Sequence, residues 1–387
     1  MDEKIRHKLA IEPWGTSLEE RVKLFEDAKK EGKKVALYFV KGPDSSTFRY
    51  RCFNVLQATK KSKKWQAIFF SRWESKTVKE LIPKSDLLVF GRQSRWDSLI
   101  KNIIEEAKKN KLPVLFDLDD LVFDKKYLLL VTNTIGETSN LDYWAPYFDD
   151  IHSTAEHVDG FLVTNDFLGE KIKQTFKKPY QVIMNSLNDE QVAASDTYLA
   201  LGVKNGRKTF DIGYFSGSPT HVNDLEVALP EILAFLEDHE DARLKVVGLM
   251  EFDERANKFL ENGQIEFLPP VDFRKLQRAM CEVDVNIAPL VINDFTNCKS
   301  ELKFFEAAAV ETTTIASPTY TFKKAISDGE NGFLAQPGEW YSKLEYLYDN
   351  PEENQKMSKK ARGYVLKHYY GDEFLKEVEN AYNHFSS

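Results

Sequence analysis

The sequence predicts an α/β chain made of two consecutive parallel-sheet domains, and three observations predict it. Short apolar runs recur along the chain, bounded by turn residues and separated by stretches with helical spacing. These runs do not alternate apolar with polar, which marks strands covered on both faces. The series breaks once, over the polar stretch 189–209, and then restarts. A length of 387 residues also favours two or three domains.

The elements follow in order. Residues 17–31 have helical periodicity, with Leu18, Val22, Leu24 and Phe25 forming an apolar stripe. The first set of strand-like runs is VALYFV (35–40), AIFF (67–70), LLVF (87–90), VLFDL (114–118), GFLVT (160–164) and QVIMN (181–185). The weakly patterned 189–209 reads as a linker. The second set is DIGYFS (211–216), LKVVGL (244–249), IEFLP (265–269), VNIAPL (285–290) and TTTIAS (312–317). Helices are expected at 224–238, 252–261, 272–281, 301–310 and 339–349, and an amphipathic one at 372–385 carries Phe374, Leu375, Val378, Ala381 and Tyr382. No repeat exists beyond this doubling. Each half therefore reads as Rossmann-like, with a cleft between the two and ligands expected outside the carboxyl ends of the strands.

Composition narrows the function. A hydrophobic share of 42%, with 13% aromatics, supplies real cores. No run approaches the ~20 apolar residues of a membrane-spanning helix. The N-terminus lacks the apolar core of a secretory signal. Three isolated cysteines (Cys52, Cys281, Cys298) form neither a disulfide framework nor a CxxC pair, which suits a reducing cytoplasm. A secreted disulfide scaffold, a zinc ribbon and an integral membrane protein are thereby excluded. The net charge is −8, yet residues 1–130 hold 28 basic against 19 acidic side chains. Such a first domain faces something anionic, a phospholipid surface or a lipid-pyrophosphate acceptor, or else presents a solvated lysine-rich surface. Nucleic acid is not expected, because the whole chain is acidic and no binding motif accompanies the basic region.

Four loops carry candidate chemistry. In NCKSELKFFEAAAVE (297–311) a polar loop enters a helix, with Ser300 as candidate N-cap. The free N–H groups there suit a diphosphate, Lys299 and Lys303 add charge, and Glu306 can accept hydrogen bonds from two neighbouring hydroxyls, as on a ribose. A capped surface helix is the plain alternative. In GYFSGSPTH (213–221), Gly217 permits close approach, Ser218 can donate and His221 can bond a phosphate or hydroxyl; a simple turn is the alternative. In GPDSSTFRYR (42–51), Ser45, Ser46, Arg49 and Arg51 offer an acceptor or phosphate loop with guanidinium forks, against a plain surface turn. Asp117, Asp119 and Asp120 admit two readings, a divalent-metal site on a sugar-nucleotide diphosphate or a structural end to a strand.

The second half resembles the nucleotide-binding domain of a GT-B glycosyltransferase of glycosyltransferase family 4, the group 1 transferases. ELKFFEAAAVETTTIASPTYTFKKAISDGENGFLA (301–335) resembles the family's lysine-containing helix, its glutamate before an Ala-rich run, a buried strand and a turn seen as Asp328, Gly329, Asn331, Gly332 and Leu334. DNPEENQKMSKKAR (349–362) resembles its helical tail. KKNKLPVLFDLDDLVFD (108–124), VTNDFLGEKI (163–172) and PYQVIMNSLND (179–189) resemble first-domain units.

The resemblance implies an acceptor-side domain at 1–195, with 370–387 packing back on it, and a nucleotide-sugar domain at 205–369. It points to Glu306 for the ribose, to the backbone of Ser300, Glu301 and Leu302 for the diphosphate, and to Lys299 and Lys303 as its cations. GYFSGSPTH becomes the phosphate-side loop. Asp119 and Asp120 stand at the cleft mouth as nominees for catalysis, beside Lys299. The implied reaction is metal-independent, retaining transfer from a UDP- or dTDP-sugar, with no separate cofactor, to a glycan, lipid-linked or glycoprotein acceptor of a bacterial envelope. The protein would be cytoplasmic, with peripheral contact at the inner membrane face and homo- or hetero-oligomeric partners. Three departures stand out. Cys298 occupies the earlier of two usual glutamate positions; either Glu301 substitutes for it or the sugar is held differently. No Arg–Lys pair occurs near 213–224, and Glu311-Thr312-Thr313 replaces Gly-x-Pro. They raise the alternative of a non-catalytic subunit that binds glycan or a partner transferase. A sugar-nucleotide epimerase of the same form is a third reading.

Overall fold

The computed structural model describes residues 14–43, 47–92, 95–136, 140–204, 208–216, 222–248, 250 and 252–386. The chain divides into two compact units, Met1–Leu128 with Asp142–Glu190 and Tyr370–Ser387, and Leu129–Leu141 with Gln191–Tyr369.

The first unit is a parallel sheet of β1 (Lys34–Val40), β2 (Trp65–Ser71), β3 (Leu87–Gly91), β4 (Val114–Leu118), β5 (Gly160–Val163) and β6 (Tyr180–Val182). Its order is β2-β1-β3-β4-β5-β6. Every residue of β4 and β5 is buried, which is why these runs read as continuous rather than alternating. Helices cover the faces. Leu18–Lys30 begins at a capping box in which Glu20 N donates to Ser17 Oγ (3.1 Å) and Ser17 N to Glu20 Oε2 (2.7 Å). Ser98–Lys109 starts at Asp97, which accepts from two backbone N–H groups. Helix Gly371–Phe385 buries Phe374, Val378, Ala381 and Tyr382 in this unit. Its Tyr382 shares a 2.8 Å hydrogen bond with Tyr38, and Trp65 Nε1 donates to Asn383 (2.9 Å).

The second unit is a parallel sheet of β7 (Phe210–Phe215), β8 (Ala242–Val247), β9 (Ile265–Leu268), β10 (Val285–Ala288), β11 (Thr313–Ala316) and β12 (Phe333–Leu334), in the order β12-β11-β10-β7-β8-β9. Its core gathers Ile212, Tyr214, Val246, Ile287, Ile315 and Trp340. At Gly248, with φ +124°, a Cβ would lie 1.9 Å from the Ser216 carbonyl oxygen, so the ends of β7 and β8 pack backbone to backbone.

Several expectations change. The linker expected at 189–209 opens with helix Asp189–Ala200. The helix expected at 224–238 is two, Val222–Glu226 and Leu229–Asp238. The loop expected through 42–51 becomes helical from residue 47, with a π turn over Arg49–Phe53. No helix among the described residues is long and apolar enough to cross a membrane.

Candidate functional site

In an open parallel sheet the crevice lies where the strand order reverses direction, outside the carboxyl ends of the strands. In the second unit that point is between β7 and β10, and in the first between β1 and β3. Both crevices collect polar side chains from loops far apart in sequence.

In the second unit, β10 runs into a loop with one short helix, Asp294–Asn297, and then into helix Leu302–Ala309. The latter's N-cap is Glu301, without a side-chain cap bond, so Ser300 does not cap it as expected. The first-turn N–H groups lack intrahelical acceptors and carry the positive end of the dipole. Lys303 springs from this turn. Its ammonium is buried, lies 4.7 Å from the centre of the Tyr214 ring and has no hydrogen-bond partner among the described residues. Burial lowers its pKa to about 8; Asp224 and Glu306 pull the other way, and Lys299 adds to the fall. Lys299 itself lies over Phe295, 4.3 Å from the ring centre. Below, Asn286 donates from Nδ2 to the Lys303 carbonyl and to Thr314 Oγ1, both at 3.0 Å, which fixes the turn to the sheet. Asp224 accepts from Val291 N (3.0 Å), joining the segments that follow β7 and β10.

Glu306 is 1% exposed, and its Oε1 accepts from Gln191 Nε2 at 2.9 Å. Glu301 is also buried. Its Oε1 accepts from the Tyr369 hydroxyl (2.6 Å), and burial raises its pKa against that bond. One oxygen of its carboxylate is thus taken by Tyr369. Leu302 opens the helix, and Cys298 is fully buried. Gly217, Ser218 and His221 lie outside the described residues, as do Ser45 and Ser46.

In the first unit, Arg92 follows β3 and Asp119 and Asp120 follow β4. Arg92 NH1 stands 3.1 Å from Asp119 Oδ1 and 3.7 Å from Asp120 Oδ2, while Thr47 Oγ1 donates to Asp119 Oδ2 (3.3 Å). Burial pushes the nearby Tyr147 hydroxyl up to about 12, with Arg92 opposing and Asp119 and Asp120 adding to the rise. Arg49 and Arg51 are not forks for a phosphate. Arg51 is 2% exposed; it bridges both oxygens of buried Asp117 (2.7 and 3.1 Å) and donates to the Ile183 carbonyl and to Asn185. Arg49, 4% exposed, donates to the Tyr50 hydroxyl (2.7 Å). Both are structural. Asp117 is held by Arg51, and Asp119 and Asp120 face Arg92, so the three carboxylates do not converge as a metal site. No group of three or more His, Cys, Asp or Glu side chains among the described residues is arranged to hold a metal ion.

Tyr214, Asp224, Gln191, Arg92 and Tyr147 were not legible as site residues, since each is an ordinary residue brought in by a distant element. Lys299 precedes helix Leu302–Ala309, Lys303 stands in its first turn and Glu306 in its second.

Residues 210–350 match the family described as Glycosyl transferases group 1, so the resemblance read from 301–335 holds. No curated protein sequence matches the chain. Among solved structures it is similar to Alr3699/HepE of Anabaena, determined in complex with UDP, at 12% identity over 91% of this chain and 99% of that one, with a TM-score of 0.59. It is similar also to a glycosyltransferase from Rickettsia africae ESF-5 (13%, 91% and 98%, TM-score 0.61). A third is WaaG, a glycosyltransferase involved in lipopolysaccharide biosynthesis (11%, 91% and 99%, TM-score 0.60). At such identities the likeness establishes the fold, which is GT-B.

Proposed function

We propose that this chain, a GT-B-fold glycosyltransferase whose residues 210–350 carry the group 1 domain, moves a sugar from a UDP- or dTDP-sugar to a hydroxyl of a glycan acceptor. One observation carries the donor half: a buried ammonium, Lys303, with no hydrogen-bond acceptor among the described residues, stands at the amino end of a helix at the strand-order reversal. A diphosphate supplies what that group lacks. Its oxygens would accept from Lys303 Nζ and from the first-turn N–H groups, with Lys299 adding charge. Glu306, already oriented by Gln191, would accept from the ribose hydroxyls.

In the reaction the acceptor oxygen bonds to the anomeric carbon while the carbon–oxygen bond to the β-phosphate breaks, its electron pair leaving with the diphosphate. We read the attack as same-face, so the anomeric configuration is kept and the hydroxyl proton passes to the departing phosphate oxygen. The two lysines and the helix end neutralise the leaving charge, which supports turnover without a metal ion. For the acceptor side we nominate Asp119 and Asp120 of the first unit. An envelope glycan, lipid-linked or on protein, is the acceptor class we favour.

The test is nucleoside diphosphate release from a panel of UDP- and dTDP-sugars with glycan acceptors, with and without EDTA, followed by NMR of the product's anomeric centre. Release with a retained configuration and no EDTA effect is the expected result. Donor binding without turnover across the panel would support the non-catalytic subunit instead, a reading that buried Cys298 favours because it removes one usual carboxylate.

A further inference from the structure

We propose that this chain associates with copies of itself through two different surfaces, the lysine-bearing amino end of the first sheet in one copy docking on the acidic amino end of the second sheet in another. Both surfaces lie at the strand ends opposite the crevices, so the proposal goes beyond the transferase reading and does not depend on it.

All neighbouring strands of the first sheet are parallel. Every loop that leads from a helix into a strand therefore lies at one end of the sheet, away from the end that carries Arg92, Asp119 and Asp120. Unpaired lysines collect there. Lys60 and Lys63 precede β2, Lys84 precedes β3, Lys108 and Lys111 precede β4, and Lys177 precedes β6. All six are exposed, and their ammonium groups make no ion pair or hydrogen bond among the described residues. The three carboxylates in these loops are already engaged. Asp86 accepts from Val35 N and Asp159 from Val114 N, both at 2.8 Å, and Glu31 pairs with Lys33 (2.9 Å). With neighbouring strands about 4.8 Å apart, the sheet spreads these charges over about 25 Å.

The second sheet is also parallel throughout, and its amino end has the opposite sign. Glu240 precedes β8, and Glu261 ends the helix before β9. Tyr348 Oη donates to Asp241 (2.9 Å) and Asn354 Nδ2 to the Asp284 carbonyl (3.2 Å), which brings Asp349 and Glu352 to the same end. These four are exposed, and their carboxylates make no ion pair or hydrogen bond among the described residues. Helix stability does not account for them. Glu261 and Asp349 are the last residues of their helices, and Glu240 lies two beyond Leu229–Asp238. Each faces the negative end of a macrodipole, at a cost of about 0.3–1 kcal/mol. The cations at this end include Arg278, paired with Glu282 (2.7 Å), and Lys258, paired with Glu237, while Lys208 adds one positive charge.

Each end thus keeps charge that its own unit does not neutralise, and the two signs match. Helices on both faces make each unit about 30 Å thick, so an end offers about 750 Å², near the ~800 Å² per partner of a standard interface. An anionic bilayer would account for the lysines and leave the carboxylates, placed against their dipoles, without a role. Among the described residues, no large exposed apolar side chain stands in the lysine-bearing loops to enter a bilayer. Because the contact joins unlike surfaces, association continues with concentration and does not stop at a two-fold dimer. Exposed ion pairs are weak singly and screened by salt, so the assembly is salt-sensitive.

The experiment uses the full chain. Wild type, the triple variant Lys63→Glu, Lys84→Glu, Lys108→Glu and the triple variant Glu240→Lys, Glu261→Lys, Asp349→Lys are compared by sedimentation velocity. The salt is about 0.01 M or about 1 M, where charges are screened over about 30 Å or about 3 Å. Wild type should form species larger than the monomer at low salt, growing with concentration and lost at high salt. Each triple variant alone should stay monomeric at low salt, and an equimolar mixture of the two should associate again, which misfolding of either could not produce. A monomeric wild type at low salt, association that survives high salt, either variant associating alone as wild type does, or a mixture that stays monomeric overturns the proposal. A wild type that stays monomeric while its lysines bind vesicles of phosphatidylcholine and phosphatidylglycerol overturns it in favour of a membrane surface.

Discussion

Lys303→Met should make the protein more stable and worse at binding UDP. In the folded chain the ammonium's pKa falls from 10.5 to about 8. At 1.36 kcal/mol for each tenfold change, keeping it charged below pH 8 costs about 3 kcal/mol. The sign follows from linkage. Between pH 8 and 10.5 the unfolded chain holds a proton that the folded chain has released, so wild-type stability rises with pH across that window, and the full penalty applies below it. Methionine matches the stem, carries no charge and removes the penalty. At pH 7 the variant should gain up to about 3 kcal/mol, or very roughly 6–12 °C in the melting of a unit this size. Near pH 10.5 the gain should vanish. UDP affinity should drop about 10- to 150-fold, the worth of a charge-assisted hydrogen bond of about 1.5–3 kcal/mol. Wild-type UDP affinity should itself fall about tenfold per pH unit above 8, because binding must first restore the proton. Paired scanning calorimetry and isothermal titration at pH 7 and 10 read both effects. A variant that is less stable and binds UDP as well as wild type would refute the assignment of Lys303 to the diphosphate.

Three further outcomes are expected. Glu306→Gln should weaken UDP binding by about 1.5–3 kcal/mol while leaving the circular dichroism unchanged, and should lose far less against a ribose-free diphosphate; equal losses for both ligands would remove the ribose role. Arg51→Ala should cost about 3–5 kcal/mol in urea unfolding, because buried Asp117 loses its partner; Arg51→Ala with Asp117→Asn should recover part of this, and no recovery would mean the loss lies elsewhere. Gly248→Ala should cost at least about 1–3 kcal/mol, since its Cβ would overlap the Ser216 carbonyl at a positive φ; a neutral result by thermal melting would show that the β7–β8 ends can part.

How much of this was legible depends on whether a residue's role is local. The strand runs were readable because burial on both faces leaves a continuous apolar signature. The nearness of Lys299, Lys303 and Glu306 in the fold shows in the sequence because one loop and one helix carry them all. Arg51 was misread because its partner, Asp117, lies 66 residues away, and nothing in RYR distinguishes an internal ion pair from a phosphate fork. Helix Asp189–Ala200 was read as linker for a related reason. Its buried residues are Gln191 and Ser195, which bond to Glu306 and Gln277, so no apolar stripe announces it. Arg92 shows no motif at all; only the side-by-side placement of β3 and β4 sets it against Asp119.

The first unit is made of segments that precede and follow most of the second in the chain, and this has a consequence for biosynthesis. Val182 closes its sheet, yet the helix that covers Tyr38 and Trp65 begins at Gly371, about 190 residues later. At about 5–20 residues per second, a ribosome leaves those side chains waiting roughly 10–40 s for their cover. Throughout that interval the emerging chain is a client for chaperones, and products of premature termination should be the aggregating species in cells.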